Sequence, residues 1–267
     1  MVKIISRIVL GLVVTYLCFI VFLFVIQNKF VFRPAYLSST YKYKFKNSFS
    51  EFTIHTSDGA SLNTLWFRND TLRKPLVFFI HGNGGNLSTW GHVSQVYLNM
   101  GYDFLIFDYR NYGKSRGGVP SQEQLLADVK CMYQWALKHY DSNQIIIAGY
   151  SLGTGLASEL ANVSTPKYLL LHAPYTSFKN ILKEKMPFVP SCVLRYNLDN
   201  LKNVKACKCP VVIFHGDADT QIPISHSLFI KQYSNNKNIK IESLQGQGHD
   251  QIIVNPKYPQ LFKKHIN

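Results

Sequence analysis

Short runs that are apolar nearly throughout, set apart by stretches long enough for a helix, leave a chain few ways to fold. Here they are LVFFI (76–80), FLIFD (104–108), QIIIAG (144–149), KYLLLH (167–172), VVIFHG (211–216) and IKIESL (239–244). A strand with one wet face alternates apolar and polar residues; a run without that alternation is buried on both faces. Between and after the runs lie helix-length segments at about 88–100, 121–139, 152–162, 176–186, 224–235 and 256–265, with Pro120-Ser121-Gln122-Glu123 as a helix start. Strand and helix in alternation predict the α/β class: a mostly parallel central sheet with helices on both faces. Ahead of it, FTIH (52–55) and SLNTLWF (61–67) flank the turn signal Ser57-Asp58-Gly59 and read as an antiparallel pair. One Lys-rich stretch interrupts the rhythm, and it makes a short lid of about 173–208.

The length of 267 residues suits one domain, or at most two. With 16% charged and 14% aromatic residues the chain is not a disordered tail, and five cysteines are too few for a disulfide scaffold. Cys207 and Cys209, with Cys192 nearby, lack the partners of a zinc site and read as ordinary thiols. The formal charge of +14 is unevenly placed: +2 in residues 1–27, +5 in 28–50, +5 in 179–208, and +2 across 51–178 and 209–267 together. No nucleic-acid-binding motif accompanies it, so no nucleic-acid partner is expected. If the two basic segments face one way, they hold the mouth of a site against anionic headgroups, each Lys or Arg worth ~1 kcal/mol there.

From Ile8 to Ile26 the chain has 19 residues without a charge, IVLGLVVTYLCFIVFLFVI. At 1.5 Å per helical residue this crosses a hydrocarbon core of ~30 Å. A secretory signal has a shorter apolar core and a small-residue cleavage site, whereas QNKFVFRP follows here, and Leu17 before Cys18 is too bulky for lipoprotein processing. The expected organisation is an N-terminal transmembrane anchor (1–28), a basic juxtamembrane segment (29–50) and a catalytic domain (51–267), giving a single-pass membrane protein. Basic residues flank the span on both sides, so charge does not choose its orientation.

The chemistry centres on Gly149-Tyr150-Ser151-Leu152-Gly153, which follows the run QIIIA and precedes the helical TGLASELAN. A nucleophilic Ser must project its hydroxyl from a sharp strand-to-helix turn, and crowding there requires small residues two positions to either side. Gly155 is read as relieving the same crowding one turn on. The Ser needs a base, and the base an acid to orient it. Asp219 follows VVIFHG, with Asp217 as its competitor, and His249 follows the last strand in Gly246-Gln247-Gly248-His249-Asp250. His215 reads as a local hydrogen-bonding residue, and His226 and His172 carry no catalytic context. In His81-Gly82-Asn83-Gly84-Gly85-Asn86 the lack of bulky side chains lets backbone approach a substrate, so the N–H groups of Asn83 and Leu152 are the expected oxyanion-hole donors, with His81 holding the loop.

These pieces, with KFVFRP, DYRNYGKSRGGVPSQEQLLAD (108–128), GYSLGTG, GDADTQIP and GQGHD, resemble the membrane-anchored α/β-hydrolase domain-containing serine hydrolases over about residues 29 to 250. The resemblance implies the α/β-hydrolase fold, with Ser151, Asp219 and His249 as nucleophile, acid and base, Asn83 in the oxyanion loop, and structural roles for Arg110 and Tyr112. It implies a serine hydrolase of carboxylic esters or thioesters, on acyl lipid or acylated protein at a bilayer, with neither cofactor nor metal. A serine peptidase on the same fold is the enzyme alternative. A catalytically silent scaffold that binds lipid or a partner through its basic lid is the alternative from another class.

Overall fold

The computed structural model describes residues 2–68 and 74–266. Residues 1 and 267, which bound the expected anchor and catalytic domain, and 69–73 within the latter, lie outside the described residues. The elements run α1 (Val2–Val31), β1 (Arg33–Pro34), β2 (Phe49–His55), β3 (Ser61–Phe67), β4 (Leu76–Ile80), β5 (Gly84–Gly85), α2 (Leu87–Trp90), α3 (Ser94–Asn99), β6 (Asp103–Phe107) and α4 (Gln122–Leu137). They continue with β7 (Ile145–Tyr150), α5 (Leu152–Val163), β8 (Tyr168–His172), α6 (Phe178–Lys185), α7 (Asn200–Ala206), β9 (Val211–Gly216), α8 (Ser225–Tyr233), β10 (Ile239–Leu244) and α9 (Tyr258–His265).

Eight strands form one sheet in the order β10-β9-β8-β7-β4-β6-β3-β2. The pairs from β10 through β6 are parallel, and β3 is antiparallel to both β6 and β2. Five of the six apolar runs divide their side chains between two cores, whereas IKIESL, expected to be buried on both faces, is the edge strand β10 with Lys240 and Ser243 exposed. Phe78 and Ile80 of β4 and Ile145 and Ile147 of β7 pack with Leu125 and Val129 of α4 and Leu156 and Leu160 of α5. Val77, Phe79, Ile146 and Ala148 pack on the other face with Tyr97 of α3 and Tyr258 and Phe262 of α9. A side chain of this size contributes ~1.5–3 kcal/mol when buried, and every position of β4, β6, β7 and β9 is buried.

Four differences from the sequence reading bear on the site. The helix expected over 88–100 is broken at Gly91–Val93, where a side chain on Gly91 would run into the ring of Phe45. The lid carries a helix that the sequence reading lacked, α7, capped by the Asp199 side chain accepting from Lys202 N at 2.9 Å. Residues 29–50, expected as a juxtamembrane segment, are bound into the body: Phe32 and Tyr43 are buried, and β1 pairs in parallel with β5. The apolar leader continues as helix to Val31.

Candidate active site

Four loops at the carboxyl ends of β4, β7, β9 and β10 meet above the sheet, the usual place for a ligand in a parallel sheet. Ser151 sits between β7 and α5 with φ 50° and ψ −114°, a strained conformation that costs ~1–3 kcal/mol and turns its hydroxyl outward. The turn survives because both flanking glycines are needed. A side chain on Gly153 would collide with the carbonyl oxygens of Ile80 and His81, and one on Gly149 would lie 2.6 Å from Gly153 O and 2.7 Å from Ala157 Cβ. Gly155 has another reason than the one expected: it makes room for the Tyr175 hydroxyl and Leu198 Cβ from beyond β8.

His249 Nε2 lies 3.0 Å from Ser151 Oγ, and its Nδ1 lies 2.7 Å from Asp219 Oδ2. The other carboxylate oxygen, Oδ1, accepts from Gln221 N and Ile222 N, both at 2.9 Å. Burial pushes the Asp219 pKa up, but hydrogen bonds from His215, His249 and the Ile222 amide outweigh it and hold the carboxyl well below its usual range. An ionised carboxylate only accepts, so Nδ1 carries the proton and Nε2 is left to accept from the Ser151 hydroxyl. Asp217, the competitor, instead accepts from Gly246 N at 2.7 Å and braces that loop. His215 bonds Ser227 Oγ at 2.6 Å and Ile222 O at 2.8 Å, the local role expected of it.

Asn83 and Leu152 both line the space in front of Ser151. Leu152 opens α5, where first-turn amides lack an intrahelical partner. The Asn83 N–H shares its peptide plane with the Gly82 carbonyl, which His81 Nδ1 holds, while the Asn83 carbonyl accepts from Arg33 N at 2.9 Å and from the Tyr112 hydroxyl at 2.7 Å and fixes the next peptide. His81 is fully buried: its Nδ1 donates to Gly82 O at 2.7 Å, its Nε2 faces Asp108 Oδ1 at 3.5 Å, and its carbonyl accepts from Tyr109 Oη at 2.5 Å. Burial raises the pKa of Asp108. Arg110 pairs with Asp128 and Asp58, tying the β2–β3 turn to α4 away from Ser151.

Two residues beneath the site were missed by the sequence reading. Tyr150, the variable second residue of the turn motif, donates to His249 O at 2.5 Å and so links the strand before Ser151 to the His249 loop. His172 is stacked between Tyr150 and Phe214, its Nδ1 donating to Gly149 O at 3.0 Å and its Nε2 accepting from Tyr258 Oη at 2.8 Å, while its carbonyl receives Ser151 N. Burial lowers its pKa from 6.5 to about 4. The unfolded chain therefore binds the proton first: the contribution is whole above about pH 6.5 and is lost as pH falls to 4, up to about 3 kcal/mol. Melting temperature followed over that interval should fall less steeply in His172→Phe, which keeps the stack but cannot titrate. An identical slope in both proteins would show that His172 is not the group responsible.

The same loops enclose a cavity of about 540 Å³, within the ~300–1,000 Å³ usual for small-molecule sites. Ser151 and His249 lie on one side; Phe178, Ile181 and Leu182 of α6 and Leu23 and Val31 of α1 line it elsewhere. Arg33 and Lys185, one from each basic segment, also reach it. That α1 contributes a wall had no signal in the sequence, where the leader reads only as a span.

Comparison with known proteins agrees with this architecture. Residues 75–170 match the family described as alpha/beta hydrolase fold. The chain is 27% identical over 237 residues, 85% of its length, to an Acanthamoeba polyphaga mimivirus protein named as an alpha/beta hydrolase, and covers 87% of that protein. It is 30% identical over 222 residues, 70% of its length, to a lysophosphatidylserine lipase of Danio rerio, and spans 57% of that lipase. Among solved structures, an esterase of Pyrococcus furiosus superposes with a TM-score of 0.68 at 18% identity, over 89% of this chain and 98% of that one.

Proposed function

We propose that this chain, which belongs to the α/β-hydrolases, cleaves carboxylic esters or thioesters of long acyl chains at a membrane through an acyl-enzyme on Ser151. The observation that carries the reading is the unbroken hydrogen-bonded series Ser151–His249–Asp219 opening on an apolar cavity. His249 takes the hydroxyl proton as Ser151 Oγ attacks the acyl carbon. The negative oxygen that forms is met by the amides of Asn83 and Leu152, the kind of fixed donor worth ~3–4 kcal/mol each in related chemistry. His249 then returns the proton to the leaving alkoxide or thiolate, and water, deprotonated by the same imidazole, releases the acid. Asp219 stays ionised throughout, because its carboxyl is held far below the working pH.

The apolar α6 wall supports a hydrocarbon chain as the acyl part, and the lipase name of one relative agrees with a lipid substrate. α1, 30 residues long with a mean hydropathy of 3.0 over its most apolar window, is long and apolar enough to cross a membrane, and we assign it the anchoring role. The test is a panel of esters, acyl thioesters and aminoacyl amides graded by acyl length, assayed with the full chain in detergent or vesicles. Long-chain esters or thioesters should give the highest kcat/KM. Preference for amides over every ester would move the reading to a peptidase, and absence of turnover on the whole panel would favour a silent scaffold.

A further inference from the structure

The leader helix does more than end at the body. Phe19, Leu23, Gln27 and Val31 are half-buried, spaced four residues apart along one face of α1, while most of the remaining apolar side chains are exposed. What covers that face is the lid. Tyr16 Oη donates to Phe188 O at 2.8 Å, and the rings of Phe19 and Phe188 lie 6.4 Å apart. Gln27 brackets the lid backbone, its Nε2 donating to Val193 O at 2.9 Å and its Oε1 accepting from Arg195 N at 2.8 Å.

These contacts fix a depth. Tyr16 lies near the middle of the uncharged run Ile8–Ile26, ~15 Å along the helix from Ile26, and Phe188 lies beside it. Lid residues 186–194, MPFVPSCVL, carry no charge and are bounded by Lys185 and Arg195. Phe188 is 62% exposed, a large apolar side chain set toward whatever surrounds α1. Irregular backbone is tolerated at membrane depth only where its polar groups are answered. Pro187 and Pro190 have no N–H to answer, and the two carbonyls and one amide named above are met by side chains of α1 itself. Conversely, a Gln and a Tyr in a span are costly unless partnered, and both are partnered by the lid.

We propose that residues 186–194 form a re-entrant wedge lying beside α1 within the bilayer, and that wedge and helix together make a lateral gate through which one long acyl chain passes from the leaflet to Ser151. Leu23, Gln27 and Val31 from the helix and Met186, Val189 and Val193 from the wedge line the cavity that the chain enters. The acyl selectivity of the site thus resides partly in the anchor. The reaction at the end of the gate rests on the hydrolase reading; the depth of the wedge does not.

Two measurements on the full chain in phosphatidylcholine vesicles test it. In Phe188→Trp, fluorescence beyond that of the three native tryptophans should be quenched more by lipid brominated midway along the acyl chain than by lipid brominated near the headgroup. Equal quenching by both, or none beyond wild type, overturns the wedge. In Leu23→Trp, bulk placed in the gate should lower the ratio of kcat/KM for palmitoyl over butyryl esters by about tenfold or more, the loss of burying two methylenes. Leu23→Ala should raise that ratio, and serves if the Trp variant does not label with a small fluorophosphonate. A ratio equal to wild type in a labelling variant overturns the gate. Deep quenching in a protein whose wild type hydrolyses nothing supports the wedge and rejects the hydrolase reading alone.

Discussion

Ser151→Ala should lower turnover of the best ester or thioester by about 10⁶, the size seen when the nucleophile of a comparable triad is removed. The substitution deletes one oxygen 3.0 Å from His249 Nε2 and leaves the rest standing. The elbow itself is held by its neighbours: Ser151 N donates to His172 O, and the glycines at 149 and 153 keep their close approaches to Ala157 and to the end of β4. Activity that remains would reflect the Asn83 and Leu152 amides acting on attack by water. A loss smaller than about a hundredfold would mean that another group carries the acyl transfer.

Asp219→Asn should cost about 10⁴ in kcat with little change in KM, as the equivalent change does in other triads. The fold has reason to survive, since an Asn side-chain oxygen still accepts from Gln221 N and Ile222 N. What changes is the atom facing His249. A carboxylate oxygen can only accept, whereas the amide presents N–H donors to Nδ1 and so favours the tautomer that carries its proton on Nε2, toward Ser151. That imidazole cannot accept the hydroxyl proton. Asp217→Asn is the control, because Asp217 braces Gly246 and does not touch His249; equal losses in both variants would remove Asp219 from its assigned role.

Much of the fold was legible because burial on two faces writes itself into sequence. LVFFI, IIIAGY and VVIFHG have no exposed face to reveal, and each has a strand on both sides in the sheet. The motif turn was equally legible, since both of its glycines are fixed by steric contacts that no larger residue could accept. What escaped depends on contacts between distant segments. The two-residue strands β1 and β5 exist only because Arg33–Pro34 is delivered beside Gly84–Gly85 by the end of α1. Gly91, where the helix breaks, must stay without a side chain because of Phe45, a residue 46 positions earlier. Tyr150 occupies a position that the motif leaves free, so nothing in the pentapeptide marks its hydroxyl as the brace of the His249 loop. Of the two basic segments, Arg33 from one and Lys185 from the other both line the cavity beside Ser151.

The most direct test of the central claim is to expose the full chain in its membrane to a fluorophosphonate and locate the adduct by peptide mass spectrometry. A single phosphonyl group should be found on the peptide containing Ser151, with none in Ser151→Ala and slower modification in Asp219→Asn. An adduct on a different residue, or equal modification of wild type and Ser151→Ala, would contradict the assignment of Ser151 as the nucleophile.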